Sequence, residues 1–436
     1  MVELPDVDVH SQPDDVKQPE KPKLLRILGP GLITGASDDD PSGIATYSQV
    51  GAQFGFDMGW VMLFSWPLMC AIQEISARIG RVTGKGVAGN LKAHYPRSLL
   101  LGLVSLLLIA NTINLGADLG AMGAALKLVV GGPQLVYVAL FGVVTILLEV
   151  FVRYSRYVSV LKWLTLVLFA YVGVAFVVHI DWLSVGFHLV APKIVWTPDY
   201  LTALVAILGT TISPYLFFWQ AEEEVEEVKE REGASPLVEA PRQAAPEFAR
   251  IRLDTYLGMG LSNMVALFII LTTAATLNAH GITNIQTSSQ AALALKPIAG
   301  PATFAVFALG IVGTGLLAVP VLAGSAAYAT GEAFGWRVGL ARTLKRAPAF
   351  YAVIAVAILV GIGLNFTPID PIKALFWSAV INGVVAVPVM VLMMLMASRP
   401  KIMGRFVLPR PLRFFGWAAT IVMALAAVGM LATLGR

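Results

Sequence analysis

The sequence has little charge and almost no cysteine, and both shortages exclude classes of protein. Asp, Glu, Lys and Arg make up 13% of the 436 residues, about half of their usual share of about 25% in soluble domains. Cys70 is the single cysteine, which excludes an internal disulfide and any metal site built from several cysteines. The net charge of +4 does not indicate a nucleic-acid partner. Hydrophobic residues supply 57% of the chain, which predicts an all-α protein that crosses a membrane several times.

Motifs for intramembrane catalysis are also absent from the sequence. There is no HExxH motif, and the histidines fall in the tail, in predicted loops or at segment ends; they are His10, His94, His179, His188 and His280. Aspartyl catalysis needs two carboxyl groups from different helices that share a proton, and Asp118 is the one mid-segment aspartate outside the first segment. We therefore expect no enzyme activity and no cofactor, with an intramembrane aspartyl enzyme as a distant alternative.

Eleven apolar segments can be marked as membrane crossings. They cover residues 25–56, 58–80, 98–126, 134–152, 156–179, 199–221, 254–279, 301–333, 350–364, 371–397 and 413–434. Residues 1–23 are polar and contain no apolar run, so we predict a disordered cytosolic tail without a cleavable signal peptide. Residues 24–436 then form one transmembrane domain with one long cytosolic loop at 222–253.

Basic residues support this map of crossings. The tail and the even-numbered connections contain 26 of the 31 Lys and Arg residues, and short loops rich in these residues stay cytoplasmic. This predicts a plasma (inner) membrane protein with its N-terminus inside and its C-terminus outside. The acidic run at 222–232 is either a metal-collecting surface or a solvated helix end followed by a flexible loop, and the second interpretation is the more usual one.

The first segment contains three consecutive carboxylates, Asp38, Asp39 and Asp40, followed by Pro41. Carboxylates inside an apolar segment normally face a cavity or a partner, and Pro41 removes a backbone donor. We predict that the helix breaks here and frees carbonyl groups that suit a cation. The alternative is an acidic loop between two shorter crossings, but each flank is too short to span the bilayer alone at about 20 residues per crossing.

The sixth segment has a similar interruption at its midpoint, where Gly209, Thr210, Thr211, Ser213 and Pro214 lie. Pro214 predicts a second break, although an ordinary proline kink is the alternative. Interrupted segments at matching positions of two five-helix halves are typical of inverted-repeat transporters with a midplane site. The sequence therefore predicts five plus five helices and an additional eleventh helix.

Several short motifs resemble the Nramp family of divalent-metal transporters, which have the LeuT-type fold. Segment one has Gly-Pro-Gly at 29–31 and Asp-Pro-Ser-Gly at 40–43. Segment two has SARIGRVTG at 76–84, segment six has LGTTISPY at 208–215, and segment seven begins with RIRLDT at 250–255. The resemblance extends from about Gly29 to the end of the chain, and it implies a metal site between the two breaks.

Three positions depart from the family pattern. Gly43 stands where the family has a metal-binding asparagine, Ser213 where it has a metal-binding methionine, and Tyr215 where it has a histidine. This combination is similar to the Nramp-related magnesium transporter branch.

The chemistry of the candidate ligands agrees with that resemblance. The candidate metal-site residues, which supply carboxylate, carbonyl or hydroxyl oxygens or leave room for water, are Asp40, Ser37, Gly43, Thr210, Thr211 and Ser213. A thioether favours softer metals, whereas oxygen ligands favour Mg²⁺, Ca²⁺ or Mn²⁺. Mg²⁺ usually keeps several waters, so a wider site with only oxygen ligands suits it.

Proton coupling is not expected. The candidates for a relay or for supporting contacts are Asp38, Asp39, Asn111, Asp118 and Tyr215. In the resemblance, Asn111 stands where the family has a proton-route glutamate, and segment nine lacks the arginine that pairs with this route. We interpret Asp118 either as a vestigial relay or, preferably, as a polar group satisfied by Asn111 and Asn114.

Four further polar residues have structural interpretations. Glu74 should pair with Arg78 one turn on, Asn263 and Asn382 should hydrogen-bond between helices, and Glu332 should lie at the membrane interface.

Together, these features predict a carrier that imports Mg²⁺ first and Mn²⁺ second by alternating access. Its expected partners are the metal ion and the lipid bilayer, and no protein partner is inferred. The alternatives are a proton-coupled Mn²⁺ or Fe²⁺ importer, a sodium-coupled carrier of organic solutes, and a slow channel.

Overall fold

A computed structural model of the chain describes residues 34, 35, 37–152 and 163–434. Within these ranges the chain forms helices and connecting loops without a β-strand, which confirms the all-α prediction. The tail predicted at 1–23 lies outside the described residues.

The α-helices of the described chain are α1 (Pro41–Phe54), α2 (Trp60–Thr83), α3 (Val87–His94), α4 (Arg97–Val130), α5 (Gln134–Phe151), α6 (Phe169–Val177), α7 (Trp182–Val190), α8 (Pro198–Thr211), α9 (Pro214–Glu230), α10 (Ala244–Thr276), α11 (Ser288–Ala292), α12 (Lys296–Ala299), α13 (Thr303–Phe334), α14 (Pro348–Leu364), α15 (Pro371–Ala397), α16 (Pro400–Met403) and α17 (Arg410–Leu434). The 3₁₀ turns are Leu164–Leu168, Pro241–Gln243, Asn278–His280, Leu293–Leu295, Gly300–Ala302 and Gly404–Phe406.

Seven stretches of the described chain are long and apolar enough to cross a bilayer. They lie in α4, α5, α8 with α9, α10, α11 to α13, α15 and α17. The pieces Leu166–Val177 and Trp182–Val190 would add an eighth, although they meet at 118°. Helices α2 and α14 are outside this group, and α14 has only 17 residues.

The first predicted helix break is present. Ser37 and Asp38 are helical, Asp39 and Asp40 are not, and α1 begins at Pro41. Asp40 has an extended backbone, with φ −68° and ψ 169°, because the ring of a following proline disfavours the helical region for the residue before it.

The second predicted break has the same local cause. Ser213, the residue before Pro214, is extended, with φ −78° and ψ 131°. Helix α8 therefore ends at Thr211 and α9 begins at Pro214. The simple proline kink is excluded, since the helical run stops for two residues before Pro214.

Close helix approaches hold both broken segments in the bundle. A Cβ on Gly209 of α8 would lie 2.0 Å from the carbonyl oxygen of Ala379 in α15. A Cβ on Gly51 of α1 would lie 2.3 Å from the carbonyl oxygen of Ile270 in α10. Small residues at helix interfaces allow this approach of one backbone to another, so α15 and α10 pack directly on the two broken segments.

The long connection that was predicted to be a cytosolic loop is shorter and more helical than predicted. Helix α9 continues to Glu230 and α10 begins at Ala244, so the non-α-helical part of the predicted loop is 231–243. Glu222 and Glu224 are buried. The interpretations of the acidic run as a solvated helix end or as a collecting surface are wrong for these two residues, because neighbouring helices cover them.

Ion pairs join the ends of three helices in this region. Glu247 of α10 lies 3.3 Å from Arg81 of α2 and 2.8 Å from Arg231 after α9. Arg250 of α10 lies 2.5 Å from Glu224 of α9. Each of these buried or half-buried charges thus has a partner of opposite sign. Such pairing is required because an unpaired ionic group is costly to bury.

Glu332 has a specific partner near the end of α13. Its carboxylate accepts hydrogen bonds from the backbone N–H of Gly86 (2.9 Å) and of Gly89 (2.6 Å). It therefore caps the N-terminus of α3, where backbone donors otherwise have no intrahelical partner.

Candidate functional site

Asp40 lies just before α1, and its carboxylate accepts three hydrogen bonds. One carboxylate oxygen accepts from the Ser42 hydroxyl (2.6 Å) and from the backbone N–H of Gly43 (2.7 Å). The other accepts from the side-chain amide of Asn114 (3.0 Å). Asp40 is thus the N-cap of α1. A carboxylate has about four acceptor positions, so one position on the second oxygen remains for another partner.

Asn114 connects this carboxylate to a third element. Its amide oxygen accepts a hydrogen bond of 2.6 Å from the hydroxyl of Ser378 in α15. The hydrogen-bonded series Ser378–Asn114–Asp40 therefore fixes the orientation of the Asn114 amide group, with its oxygen toward α15 and its nitrogen toward Asp40. Helices α4 and α15 position the carboxylate jointly.

The two helix breaks meet in the structure. The Tyr215 hydroxyl of α9 donates a hydrogen bond of 3.1 Å to the carbonyl oxygen of Ser37. The hydroxyl oxygens of Thr210 in α8 and Tyr47 in α1 are hydrogen-bonded at 2.9 Å. Segments one and six are thus in direct contact through the predicted residues Ser37, Thr210 and Tyr215 and through Tyr47, which was not predicted.

The hydroxyl groups of the second break bond to their own backbone. Thr211 donates to the carbonyl of Ile207 (3.0 Å). Ser213 lies 2.7 Å from the carbonyl oxygens of both Gly209 and Thr210. Each hydroxyl keeps its lone pairs, so Thr211 and Ser213 can still accept a hydrogen bond or bind a cation. The Thr210 carbonyl oxygen already has the Ser213 hydroxyl within hydrogen-bond distance.

Gly43 leaves little unused space beside Asp40. A Cβ there would lie 3.5 Å from Oδ1 of Asp40 and 3.3 Å from the ring of Tyr47. A longer side chain would have to share the region that Tyr47 now occupies. The space beside this glycine is therefore bounded by the Tyr47 ring and by the Asp40 carboxylate itself.

Asp38 and Asp39 converge on a residue that the sequence reading missed. The hydroxyl oxygen of Ser262 in α10 lies 2.7 Å from Oδ2 of Asp38 and 3.0 Å from Oδ1 of Asp39. Since one hydroxyl has one proton, it can donate to only one of them at a time. Asp38 and Asp39 thus face α10, whereas Asp40 bonds to α4.

All three aspartates are shielded from solvent. Their exposed fractions are 1% for Asp38, 5% for Asp39 and 2% for Asp40. The alternative of an acidic loop between two shorter crossings is therefore wrong, because these carboxylates are enclosed by the helices.

Asp118 is not satisfied by Asn111 and Asn114, although the sequence had suggested this. Asn111 donates to the carbonyl of Leu322 (3.0 Å) and to the hydroxyl of Ser325 (2.8 Å), and Asn114 bonds to Asp40. Neither asparagine satisfies Asp118. The backbone N–H of Ser42 interacts with this buried carboxyl group, but neither oxygen has a hydrogen bond of normal geometry in the described part of the chain.

The remaining polar predictions have mixed outcomes. Glu74 pairs with Arg78 at 2.7 Å, and the Asn263 amide donates to the carbonyl of Met62 in α2 at 2.7 Å. Both predictions are confirmed. The prediction for Asn382 is wrong, because both of its amide atoms are buried without a partner among the described residues.

Sequence reasoning also missed Tyr47, Ser262 and Ser378, which are polar residues within apolar helices. A buried hydroxyl in such a helix can form a hydrogen bond to its own backbone. Its presence in the sequence therefore does not indicate a contact with the candidate site. The described chain contains no cluster of three or more His, Cys, Asp or Glu side chains suited to a metal. Any ion at the junction of the breaks would therefore depend on carbonyls, hydroxyls and water besides Asp40.

Comparisons with known proteins agree with this architecture. The model of the Nramp family, described as natural resistance-associated macrophage protein-like, matches residues 31–433. A solved manganese transporter of Eremococcus coleocola, in complex with an aromatic bis-isothiourea substituted compound, is 18% identical with a TM-score of 0.70. The match covers 98% of this chain and 91% of that chain. A mutant of that transporter is 19% identical, with a TM-score of 0.68 over 97% and 90% of the two chains.

A transporter of another family has a related fold. Mhp1, a nucleobase-cation-symport-1 family transporter in a closed conformation with bromovinylhydantoin bound, is 15% identical with a TM-score of 0.56. The match covers 93% of each chain. The predicted LeuT-type fold is confirmed, and both predicted helix breaks are present in the structure. With a family model matched over nearly its whole length, the chain belongs to the Nramp family of divalent-metal transporters, which are not enzymes.

Proposed function

We propose that this protein imports Mg²⁺, and Mn²⁺ as a second substrate, across the plasma membrane by alternating access without proton coupling. The observation that carries the proposal is the contact between the two helix breaks, where Tyr215 reaches the carbonyl of Ser37 beside Asp40. This junction presents one carboxylate together with backbone carbonyls and hydroxyls.

The ligand types support a hard cation as substrate. At the two positions where the resemblance implies Asn and Met, the chain has Gly43 and Ser213, and Ser213 is buried beside the second break. Oxygen ligands without a thioether favour Mg²⁺ or Mn²⁺ over softer ions. Because Mg²⁺ is usually held by one or two carboxylates and retains waters, Asp40 with nearby hydroxyls suffices.

The family resemblance and a transporter named for manganese support a divalent cation in general. The distribution of basic residues supports a cytosolic N-terminus. Import of a dication could then follow the membrane potential, which supplies about 4.6 kcal/mol for two charges per 100 mV.

Flux into proteoliposomes tests this function directly. Mg²⁺ and Mn²⁺ influx should be measured with a potassium diffusion potential of either sign, while a trapped dye records internal pH. We expect saturable influx of both ions that increases when the interior is negative, with no acidification coupled to it. Influx of Mn²⁺ without Mg²⁺, or metal-dependent acidification, would overturn the corresponding part of the proposal.

One observation favours a second candidate, a proton-coupled Mn²⁺ or Fe²⁺ importer. Asp118 is buried in α4, and neither carboxyl oxygen has a hydrogen bond of normal geometry among the described residues, although the Ser42 backbone interacts with the group. Such groups within a membrane often belong to proton relays. Asp118→Asn separates the two functions. Uncoupled transport predicts metal influx within about twofold of wild type and no change in internal pH for either protein. Metal-dependent acidification in the wild type that disappears in Asp118→Asn would favour the second candidate.

A further inference from the structure

The side of α17 that faces away from the bundle combines a cationic end with an apolar stripe. Its residues recur at spacings of three and four, so they lie on one side of the helix. They are Arg410, Arg413, Phe414, Trp417, Ile421 and Val422, with Ala418 between them, and they line an open, shallow groove along the surface of this one helix.

The opposite side of α17 is the one that packs against the protein. Leu412, Ala419 and Met423 are buried, and the helix contacts α2, α8 and α15. Phe414 and Ile421 keep exposed fractions of 68% and 54%. In a chain that spans the membrane, this exposed stripe meets lipid.

The cationic end is not neutralised by the protein itself. No Asp or Glu follows Asp370 in the sequence. Arg410 and Arg413 are exposed, and neither forms an ion pair with any residue in the described ranges. Both lie in the first turn of a 25-residue helix, whose N-terminal end adds partial positive charge.

The spacing along the helix matches the depth profile of a phospholipid. Eight residues separate Arg413 from Ile421, which is about 12 Å along a helix at about 1.5 Å per residue. Trp417 lies between them, and tryptophan is enriched at the membrane–water interface. The order from arginine through tryptophan to aliphatic residues therefore follows the order of headgroup, interface and acyl chain.

We propose that this groove binds one anionic phospholipid. Its phosphodiester lies at Arg410 and Arg413, and an acyl chain follows the stripe from Trp417 to Val422. Basic pockets beside membrane helices bind anionic headgroups, and two uncompensated arginines disfavour the choline group of a zwitterionic lipid. The occupant is thus selected by charge at one end and by apolar contact at the other, independently of the ion that the protein transports.

Native mass spectrometry of the purified full-length protein tests this site, with phosphatidylglycerol or phosphatidylcholine added in detergent. We expect the first phosphatidylglycerol to bind at least about tenfold more tightly than phosphatidylcholine. R410Q/R413Q should weaken phosphatidylglycerol binding at least about fivefold. The matched control R342Q/K345Q removes the same charge from the exposed loop before α14 and should leave the affinity unchanged.

A second variant tests the apolar part of the groove. A418W fills the stripe but keeps both arginines, and it should also weaken phosphatidylglycerol binding. Inorganic phosphate at millimolar concentration should not displace the lipid, because it lacks the acyl chain. Equal affinity for the two lipids, an equal loss in the control, wild-type binding by A418W, or displacement by phosphate alone would each overturn the proposal.

Discussion

The Tyr215 hydroxyl donates a hydrogen bond of 3.1 Å to the carbonyl oxygen of Ser37, so a side chain from the second helix break covers a carbonyl freed by the first. Ser213 acts similarly on the carbonyl of Thr210, from which its hydroxyl lies 2.7 Å away. The residues that stand where the resemblance implies a histidine and a methionine thus place hydroxyls against carbonyl oxygens of the two breaks. Under the proposed function, an entering cation would share these oxygens with the two hydroxyls or displace them.

Asp40→Asn should abolish transport while preserving the fold. The amide keeps the shape of the side chain and can still accept at the start of α1, but the negative charge is lost. We expect metal affinity to fall about 100-fold or more, which corresponds to about 2.7 kcal/mol. Isothermal titration of purified protein with Mg²⁺ and Mn²⁺ measures this. Ser42→Ala, which removes one hydrogen bond from the carboxylate and keeps its charge, should lose less than about tenfold. Near-normal affinity of Asp40→Asn would contradict the site.

Ser213→Met should shift the metal preference toward softer ions. A thioether adds a ligand that favours them, so the ratio of Cd²⁺ to Mg²⁺ uptake should rise about tenfold. Ser213→Ala is the matched control, because it removes the hydroxyl without adding sulfur. The comparison is made by competition in proteoliposomes. The selectivity argument fails if the alanine and methionine variants have the same metal profile.

Tyr215→Phe should strengthen ion binding. The substitution frees the Ser37 carbonyl from a hydrogen bond of 3.1 Å, and one such bond contributes about 1 kcal/mol. We expect affinity for Mg²⁺ to rise about fivefold in equilibrium titrations. Tyr47→Phe removes a hydroxyl bonded to the Thr210 side chain, not to a carbonyl, and should change the affinity less. Weaker binding by Tyr215→Phe would mean that the hydroxyl positions the carbonyl for the ion.

Arg250→Ala should destabilise the protein. Glu224, with none of its side chain exposed, would lose a partner at 2.5 Å, and removing one member of a buried pair costs about 3–5 kcal/mol. We expect the thermal unfolding midpoint in detergent to fall by about 5 °C or more. The exposed neighbour Arg252 provides the control, since Arg252→Ala should leave the midpoint nearly unchanged. Equal midpoints for the two variants would show that the ion pair contributes little.

Local chemistry explains which parts of the fold were predictable. Pro41 and Pro214 each force the preceding residue into an extended conformation, so both breaks follow from the sequence. Glu74 and Arg78 are one turn apart on a single helix, and their contact follows from helix geometry. Such features involve residues that are close in the chain. The membrane-spanning character follows from the apolar composition alone.

Contacts between distant segments were decided by the tertiary structure. Ser262 meets Asp38 across 224 residues, and Asn114 meets Asp40 across 74, which no spacing rule connects. The sequence predicted that Glu222 and Glu224 are solvated, because their burial depends on the packing of other helices around α9. The sequence by itself determined where the helices break and what kind of ligands they offer. The tertiary structure decided which hydroxyls and amides form hydrogen bonds with those carboxylates and carbonyls, because hydrogen bonding inside a membrane depends on which helices come together.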